Sequence, residues 1–477
     1  MTSTTSFRPL PSGNGVDLAI IGAGSAGFSA AITAAELGAK VALVGHGTIG
    51  GTCVNVGCVP SKTLIRAADA LHQARHASRF AGISAEAVLS SWPDLVAQKD
   101  ELVAEMRQAK YADLLPEYTN VSYVPGVARL VDGGVAVNGD TLQAPKIIVA
   151  TGAAPALPAI PGIEQVPYLT STTALDLDTL PKSLLVIGGG YIGVELAQMF
   201  ARAGAAITIV CRSHLLPHGE PEISEALTGY FSDEGIRVVS GVSYRAIRQI
   251  DNGVAIDLNA AGAIETLEAE KVLIATGRQP NTADLDLEGV GVSLGDHGGI
   301  EVDDQMRTTR AGTYAAGDVT GRDQFVYMAA YGARIAAENA LNGDSRSYDS
   351  SAMPAVVFTD PQIANVGLTE AEARAGGFDV KTSVLPLDAV SRALAARDTR
   401  GLIKLIADKA TDRLLGGHIL APEGADSIQT MVMALKANLT VRELAETVFP
   451  YLTTVEGLKL AAQTFDKDVS KLSCCAG

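Results

Sequence analysis

Four of the five cysteines in this 477-residue chain fall in two pairs. Cys53 and Cys58 lie in the run GGTCVNVGCVPSK, Cys474 and Cys475 lie in the terminal SCCAG, and Cys211 is left over. A thiol pair inside a Gly-rich loop can cycle as a redox centre, while a vicinal pair near a chain end can relay electrons or hold a soft ion. Pro60 is well placed near a helix start, which puts Cys58 at or near a helix N-terminus. The dipole there, with Lys62 one turn on, favours a thiolate. Zinc is poorly served, because this spacing without clustered His or further Cys builds no tetrahedral site. Cys211, at a strand end, reads as a small buried residue.

The elements that must position such a loop are legible on both sides of it. Val16 to Ile21 predicts a strand running into Gly22-Ala23-Gly24-Ser25-Ala26-Gly27 and an Ala-rich helix to about Leu37, with Lys40 to Val44 as the returning strand. Ser183 to Ile187, Gly188-Gly189-Gly190-Tyr191-Ile192-Gly193, a helix carrying Glu195 and the strand Ala206 to Val210 repeat the pattern. Each is a dinucleotide-binding βαβ fingerprint, whose glycines let backbone N–H groups reach a pyrophosphate at a helix N-terminus. The second returning strand ends in Val210-Cys211-Arg212, with a guanidinium where an NAD site carries a carboxylate, which favours NADPH. The first ends in Gly45-His46, also without a carboxylate, leaving His46 or a water for the ribose.

Two segments, Ile148-Val149-Ala150-Thr151-Gly152 and Leu273-Ile274-Ala275-Thr276-Gly277, each close a nucleotide domain, and TYAAGD ends a strand with Asp318 placed to bond a polyol. The stretch from Ser84 to Pro125 reads as helix, amphipathic from Gln98 to Leu115. From Ala352 onward, alternating strands (Ala355 to Phe358, Gly401 to Ile406, Leu414 to Ile419) and amphipathic helices read as a separate α/β domain. The expected fold is α/β: two Rossmann-like domains followed by a third α/β domain, with boundaries 1–165, 166–281, 282–351 and 352–477, the first and third segments forming one domain. The balance of 53 acidic to 37 basic residues, a net charge of −16, argues against nucleic acid or an anionic membrane surface as a partner. Few cysteines imply a reducing compartment. The first sixteen residues lack the apolar core of a signal peptide, and no apolar run approaches the ~20 residues of a membrane span. The expectation is a soluble cytoplasmic protein without membrane insertion.

Together, both fingerprints, GGTCVNVGCVPSK, the two ATG segments and TYAAGD resemble the pyridine nucleotide-disulfide oxidoreductase family over nearly the whole chain. The resemblance implies FAD on Gly22, Gly24, Gly27 and Asp318, and a nicotinamide nucleotide on Gly188, Gly190, Gly193 and Arg212. It also implies Thr52, Lys62, Thr151, Gly152 and Gly277 as further cofactor contacts, Lys62 and Glu195 paired beside the flavin, and a homodimer made through the C-terminal domain. One departure narrows the substrate. Disulfide-reducing members carry His-Pro-Thr-x-x-Glu near the C-terminus, the His protonating a leaving thiolate; here the stretch reads Tyr451-Leu452-Thr453-Thr454-Val455-Glu456, and no His follows His418. General-acid help of this kind is worth ~10²–10⁴-fold. A substrate that needs electrons but no proton on sulfur would not miss it.

Hg(II), a soft cation suited to thiolates, is such a substrate. The segments FPYLTTVEGLKLAAQTF and SCCAG resemble the branch of the family that reduces mercuric ion. That likeness implies that Cys474 and Cys475 collect Hg(II) from its thiol complexes and hand it to Cys53 and Cys58 of the other subunit, with Tyr111 and Tyr451 lining the inner site. The alternatives are a thioredoxin-reductase-like or other flavoprotein disulfide reductase, using the vicinal pair as an electron relay, and a thiol-based mercury-sequestering protein without turnover. Arg212→Ala is expected to raise the KM for NADPH by about ten- to hundredfold, the weight of a charge-assisted hydrogen bond, and to leave that for NADH nearly unchanged. Equal effects on both nucleotides would remove Arg212 as the discriminator.

Overall fold

The computed structural model describes residues 15–260 and 262–469. They form two compact units, the first from 15–63, 93–156 and 277–350 and the second from 64–92, 157–276 and 351–469. The first unit is built on a five-stranded parallel sheet ordered Thr313–Ala315, Lys146–Val149, Leu18–Ile21, Val41–Gly45, Val121–Pro125. The central runs LAII and VALVG are buried throughout, the pattern of parallel strands covered on both faces. One covering layer is the pair of Ala-rich helices Ser25–Glu36 and Val326–Asn342, which pack on each other. Because Leu18–Ile21 has Val41–Gly45 on one side and Lys146–Val149 on the other, the strand order reverses there and a crevice opens beyond its carboxyl end.

The second unit repeats this plan. Its five-stranded parallel sheet runs Arg237–Val239, Ala206–Val210, Ser183–Ile187, Lys271–Ile274, Tyr168–Thr170, with the reversal at Ser183–Ile187. In both sheets the connection into the fourth strand in the sequence of the fingerprint fold carries an antiparallel three-stranded meander, Ala128–Val131, Gly134–Val137 and Asp140–Gln143 in one and Val242–Ile250, Gly253–Ala260 and Ala263–Ala269 in the other. The second unit also holds an antiparallel sheet ordered Ala355–Val357, Gln362–Gly367, Leu414–Ala421, Leu402–Asp408, Val380–Pro386. Leu385, Ile403, Leu405, Ile419, Met431 and Leu458 join that sheet to helices Gly424–Lys436 and Glu456–Gln463.

One expectation changes. The stretch from Ser84 to Pro125 is not one helical region: the helix is Trp92–Arg107, a π-turn follows over Gln108–Ala112, and Val121–Pro125 is the edge strand of the first sheet. The run Val121-Ser122-Tyr123-Val124 is short and rich in β-branched and aromatic residues, a strand composition that the preceding amphipathic run masked. Residues 64–92 also group with the second unit, and the chain passes between units after residues 156, 276 and 350. No helix among the described residues is long and apolar enough to cross a membrane.

Within the second unit, Arg202 on the helix Tyr191–Ala203 is buried among Asp69 at 2.6 Å, Glu234 at 2.6 Å and Asp360 at 2.9 Å. Asp69 is on the helix that starts at Cys58, so the guanidinium ties that helix to the fingerprint helix. Burial dominates the Asp69 carboxyl and pushes its pKa up to about 6 against the pull of Arg202. Arg202→Met takes away a cation shared by three carboxylates, while Arg66 still reaches Asp69 and Arg400 still reaches Glu234 and Asp360, and is expected to cost about 1.5–3 kcal/mol, read as a lower denaturant midpoint with flavin retained. A midpoint within experimental scatter of the parent would show that the cluster is not cohesive.

Candidate active site

The thiol loop is held by backbone packing. Gly50 and Gly51 take the left-handed conformation (φ 99° and 66°), and a Cβ on Gly51 would lie 2.5 Å from Gly24 Cα. The loop backbone therefore lies directly on the fingerprint turn. Cys53 is on the short helix Gly51–Val56 and Cys58 opens the helix Cys58–Arg75. Between them Gly57 breaks the helical path, where a Cβ would meet Thr52 O at 2.9 Å. Asn55 locks the turn by donating from Nδ2 to Ile49 O at 2.9 Å and Gly51 O at 2.8 Å, while its Oδ1 accepts from Arg107 Nη1 at 3.0 Å.

Cys53 and Cys58 are both half-buried thiols, and they hydrogen-bond to each other. That bond, then burial, then the charge of Cys58 push the Cys53 thiol well above its ordinary range, opposed by a hydrogen bond with the Cys58 backbone and, more weakly, by Lys62. The pair is thus poised with the proton held on Cys53. Tyr111, in the π-turn, faces the same place: its hydroxyl lies 3.5 Å from Ser25 Oγ, its ring meets Phe28 edge-on at 4.8 Å, and a Cβ on Gly50 would crowd that ring at 3.2 Å. Burial raises the Tyr111 pKa, Ser25 lowers it and the two cysteines add to the rise. The phenol accordingly stays protonated beside the sulfurs.

The two fingerprints are geometrically matched. Gly22 and Gly188 have φ of 116° and 119°, and a Cβ on either would lie 2.2 Å from the carbonyl oxygen of Ala150 or Ala275. Gly27 and Gly193 pack against Gly22 O and Gly188 O, where a Cβ would come within 1.8 and 2.1 Å. Gly24 and Gly190 are the N-caps of Ser25–Glu36 and Tyr191–Ala203; neither helix has a side-chain cap or an acidic residue in its first turn. A Cβ on Gly190 would meet nothing within 4 Å, and one on Gly24 only Gly51 Cα at 3.4 Å. Uncapped N–H groups facing open space fit a dinucleotide pyrophosphate in both units.

The remaining predicted residues divide between the units. Thr52, Lys62, Thr151, Gly152, Gly277 and Asp318 are in the first. Thr151 Oγ1 donates to Asn281 O at 2.8 Å, so its hydroxyl clasps the two chain crossings, which pair as Ala153–Pro155 with Arg278–Pro280. Asp318 follows Gly317 (φ 77°), and Arg278 Nε lies 3.5 Å from its carboxylate; burial raises its pKa and Arg278 opposes this. Glu195, Arg212 and Tyr451 are in the second unit. Glu195 is buried, with Oε1 accepting from Phe358 N at 2.8 Å. Arg212 is exposed just past the strand Ala206–Val210, and Cys211 beside it is buried with its thiol pushed up to about 11. Tyr451 is 52% exposed in the turn before the helix Glu456–Gln463, whose Glu456 is buried with Oε2 lacking a hydrogen-bond partner among the described residues. His418, the last histidine, is enclosed by the antiparallel sheet and bonded to Leu368 O at 3.0 Å. Cys474 and Cys475 lie outside the described residues. Glu220, Glu222 and Glu370 converge as a resident cation would require, but Lys404 Nζ already lies 2.7 to 2.9 Å from all three.

The sequence pattern of "Pyridine nucleotide-disulphide oxidoreductase" matches residues 16–337, and that family's dimerisation domain matches residues 353–462. The chain belongs to this family. A mercuric reductase of Lysinibacillus sphaericus is 49% identical over 97% of this chain and 84% of its own length. One from Streptomyces lividans is 49% identical over 97% of this chain and 99% of its own. Among solved structures, the Cu(II) complex of the HOCl-induced flavoprotein disulfide reductase RclA from Escherichia coli has a TM-score of 0.83 at 32% identity, covering 95% of this chain and 100% of that one.

For this oxidoreductase the motifs did not single out Ser25 and Phe28, which meet Tyr111, or Asn55 and Arg107, which hold the thiol loop. Asn55 was the one with a local signal, since a short polar side chain between two glycine breaks is suited to bonding nearby backbone. Cys58→Ala removes the largest cause of the high Cys53 pKa and leaves burial. The Cys53 thiol is therefore expected to titrate lower than in the parent, measured as the pH dependence of its alkylation followed by peptide mass spectrometry. An unchanged profile would mean that the two thiols are not coupled.

Proposed function

We propose that this chain reduces thiol-bound Hg(II) to Hg(0) as an NADPH- and FAD-dependent homodimer in the cytoplasm. The observation that carries the reading is a coupled thiol pair on the fingerprint turn in a chain whose C-terminal segment has Tyr451 where disulfide reductases have their proton-donating His. FAD fits the first fingerprint and NADPH the second; when bound they supply two electrons per turnover as a hydride equivalent. Gly22, Gly24 and Gly27 admit the flavin's pyrophosphate, Gly188, Gly190 and Gly193 that of NADPH, and Arg212 meets the 2′-phosphate.

Cys53 and Cys58 are the inner ligands. Thiolate is the ligating form, so metal capture releases the proton held on Cys53. Two sulfurs on one loop present a high effective concentration, which lets them displace small thiols from Hg(II) by exchange. Tyr111 keeps its proton and offers a neutral wall, so the cation is held by sulfur. Lys62 favours thiolate on the loop. Cys474 and Cys475 collect the metal and pass it to the inner pair of the other subunit, with Tyr451 at the approach. No acid is required, because Hg(II) takes up two electrons and departs from sulfur without protonating a leaving thiolate.

The test is anaerobic NADPH oxidation by the purified protein with Hg(II), oxidised lipoamide and oxidised thioredoxin compared side by side. Only Hg(II) should support turnover, and Cys53→Ala or Cys58→Ala should abolish it while FAD stays bound. Comparable rates with either disulfide, or near-normal Hg(II) turnover in either variant, would contradict the reading.

A further inference from the structure

The first fingerprint lacks the carboxylate that ordinarily binds the nucleotide ribose about 20 residues on, and the structure shows what occupies that place. Strand Val41–Gly45 pairs in parallel with Val121–Pro125, Leu43 opposite Tyr123 and Gly45 opposite Pro125, so Tyr123 shares a face with position 45. That face carries the fingerprint helix, since a Cβ built on Gly27 would lie 3.4 Å from Leu43 Cδ1. The phenol runs along it towards the sheet's carboxyl edge. A Cβ on Gly45 would lie 3.1 Å from Tyr123 Oη and 2.6 Å from Ala23 Cβ, so the volume of a residue-45 side chain is already filled by the phenol and the fingerprint turn. Tyr123 is 8% exposed, and its hydroxyl donates to Gly45 O at 3.3 Å.

We propose that the Tyr123 hydroxyl replaces the missing carboxylate as the acceptor for the adenosine ribose of FAD. A phenol that donates to a backbone carbonyl keeps lone pairs with which to accept, the capacity a carboxylate would bring to the ribose hydroxyl. Unlike a carboxylate it is neutral, and burial raises its pKa, so it stays so in the working pH range. It therefore adds no repulsion against the nearby pyrophosphate. His46, the residue next along, is exposed and precedes Gly47 (φ 71°), where the chain turns away.

This inference rests on FAD occupying the first fingerprint, and its test reads binding, not turnover. Deflavinated full-length protein is titrated with FAD and with an FAD analogue whose adenosine lacks both ribose hydroxyls, following flavin fluorescence. The parent should bind FAD about two- to tenfold more tightly than the analogue, the weight of one neutral hydrogen bond. Tyr123→Phe should bind FAD more weakly by a similar factor and bring the FAD-to-analogue ratio close to one; His46→Ala should keep the parent's ratio. A parent that does not discriminate overturns the proposal without recourse to any variant. So does a Tyr123→Phe protein that discriminates as the parent does, or a His46→Ala protein that loses the ratio. A parent that takes up neither flavin overturns the FAD assignment itself, and this inference with it.

Discussion

The contact on which the thiol chemistry depends is between two backbones. Gly51 lies against Gly24 with no space for a methyl group, so the loop carrying Cys53 and Cys58 is pressed onto the turn that opens the first fingerprint helix. Side-chain interactions alone would let a short Gly-rich loop sample many conformations, because glycine loses the most freedom on ordering. Here that entropy is opposed by burial of the loop backbone and by Asn55, which bonds the carbonyls of Ile49 and Gly51 at the start of the short helix and is itself held by Arg107. The outcome is a pair of sulfurs close enough to share a proton at a place where the fold leaves helix N–H groups uncapped. Chelation of a soft cation and electron transfer call for the same arrangement.

The two nucleotide sites descend from one physical solution used twice. Positive φ at Gly22 and Gly188, close packing at Gly27 and Gly193, and bare N-caps at Gly24 and Gly190 are nearly superposable requirements. What distinguishes the sites is the exit of the returning strand. One ends in Arg212, exposed and cationic; the other ends in Gly45 under the phenol of Tyr123. A difference of this kind changes nucleotide preference without altering the sheet, since residues beyond a strand's carboxyl end carry little of the core packing.

Most of the site was legible from sequence because its residues are compelled by local geometry or by chemistry. Gly22 and Gly27 stand where only glycine fits, and paired cysteines in such a loop have few other uses. The strand Ser183–Ile187 falls where its apolar run places it. What stayed hidden depends on partners far away in the chain. Tyr123 was absorbed into an over-long helical reading, and its meaning needs Gly45, 78 positions earlier. Tyr111 is brought to Ser25 across 86 positions by a π-turn that no periodicity signals. Arg202 reads as an ordinary basic residue near a helix end, yet Asp69, Glu234 and Asp360 converge on it from three separate segments.

The central claim is that Cys53 and Cys58 together form the metal-holding centre. X-ray absorption at the mercury edge tests this most directly, on oxygen-free protein carrying Cys474→Ala and Cys475→Ala and loaded with one Hg(II) per flavin. The account predicts two sulfur neighbours, falling to one when Cys53 is also replaced by alanine. A first shell of nitrogen or oxygen, or a two-sulfur shell that survives replacement of Cys53, would contradict it.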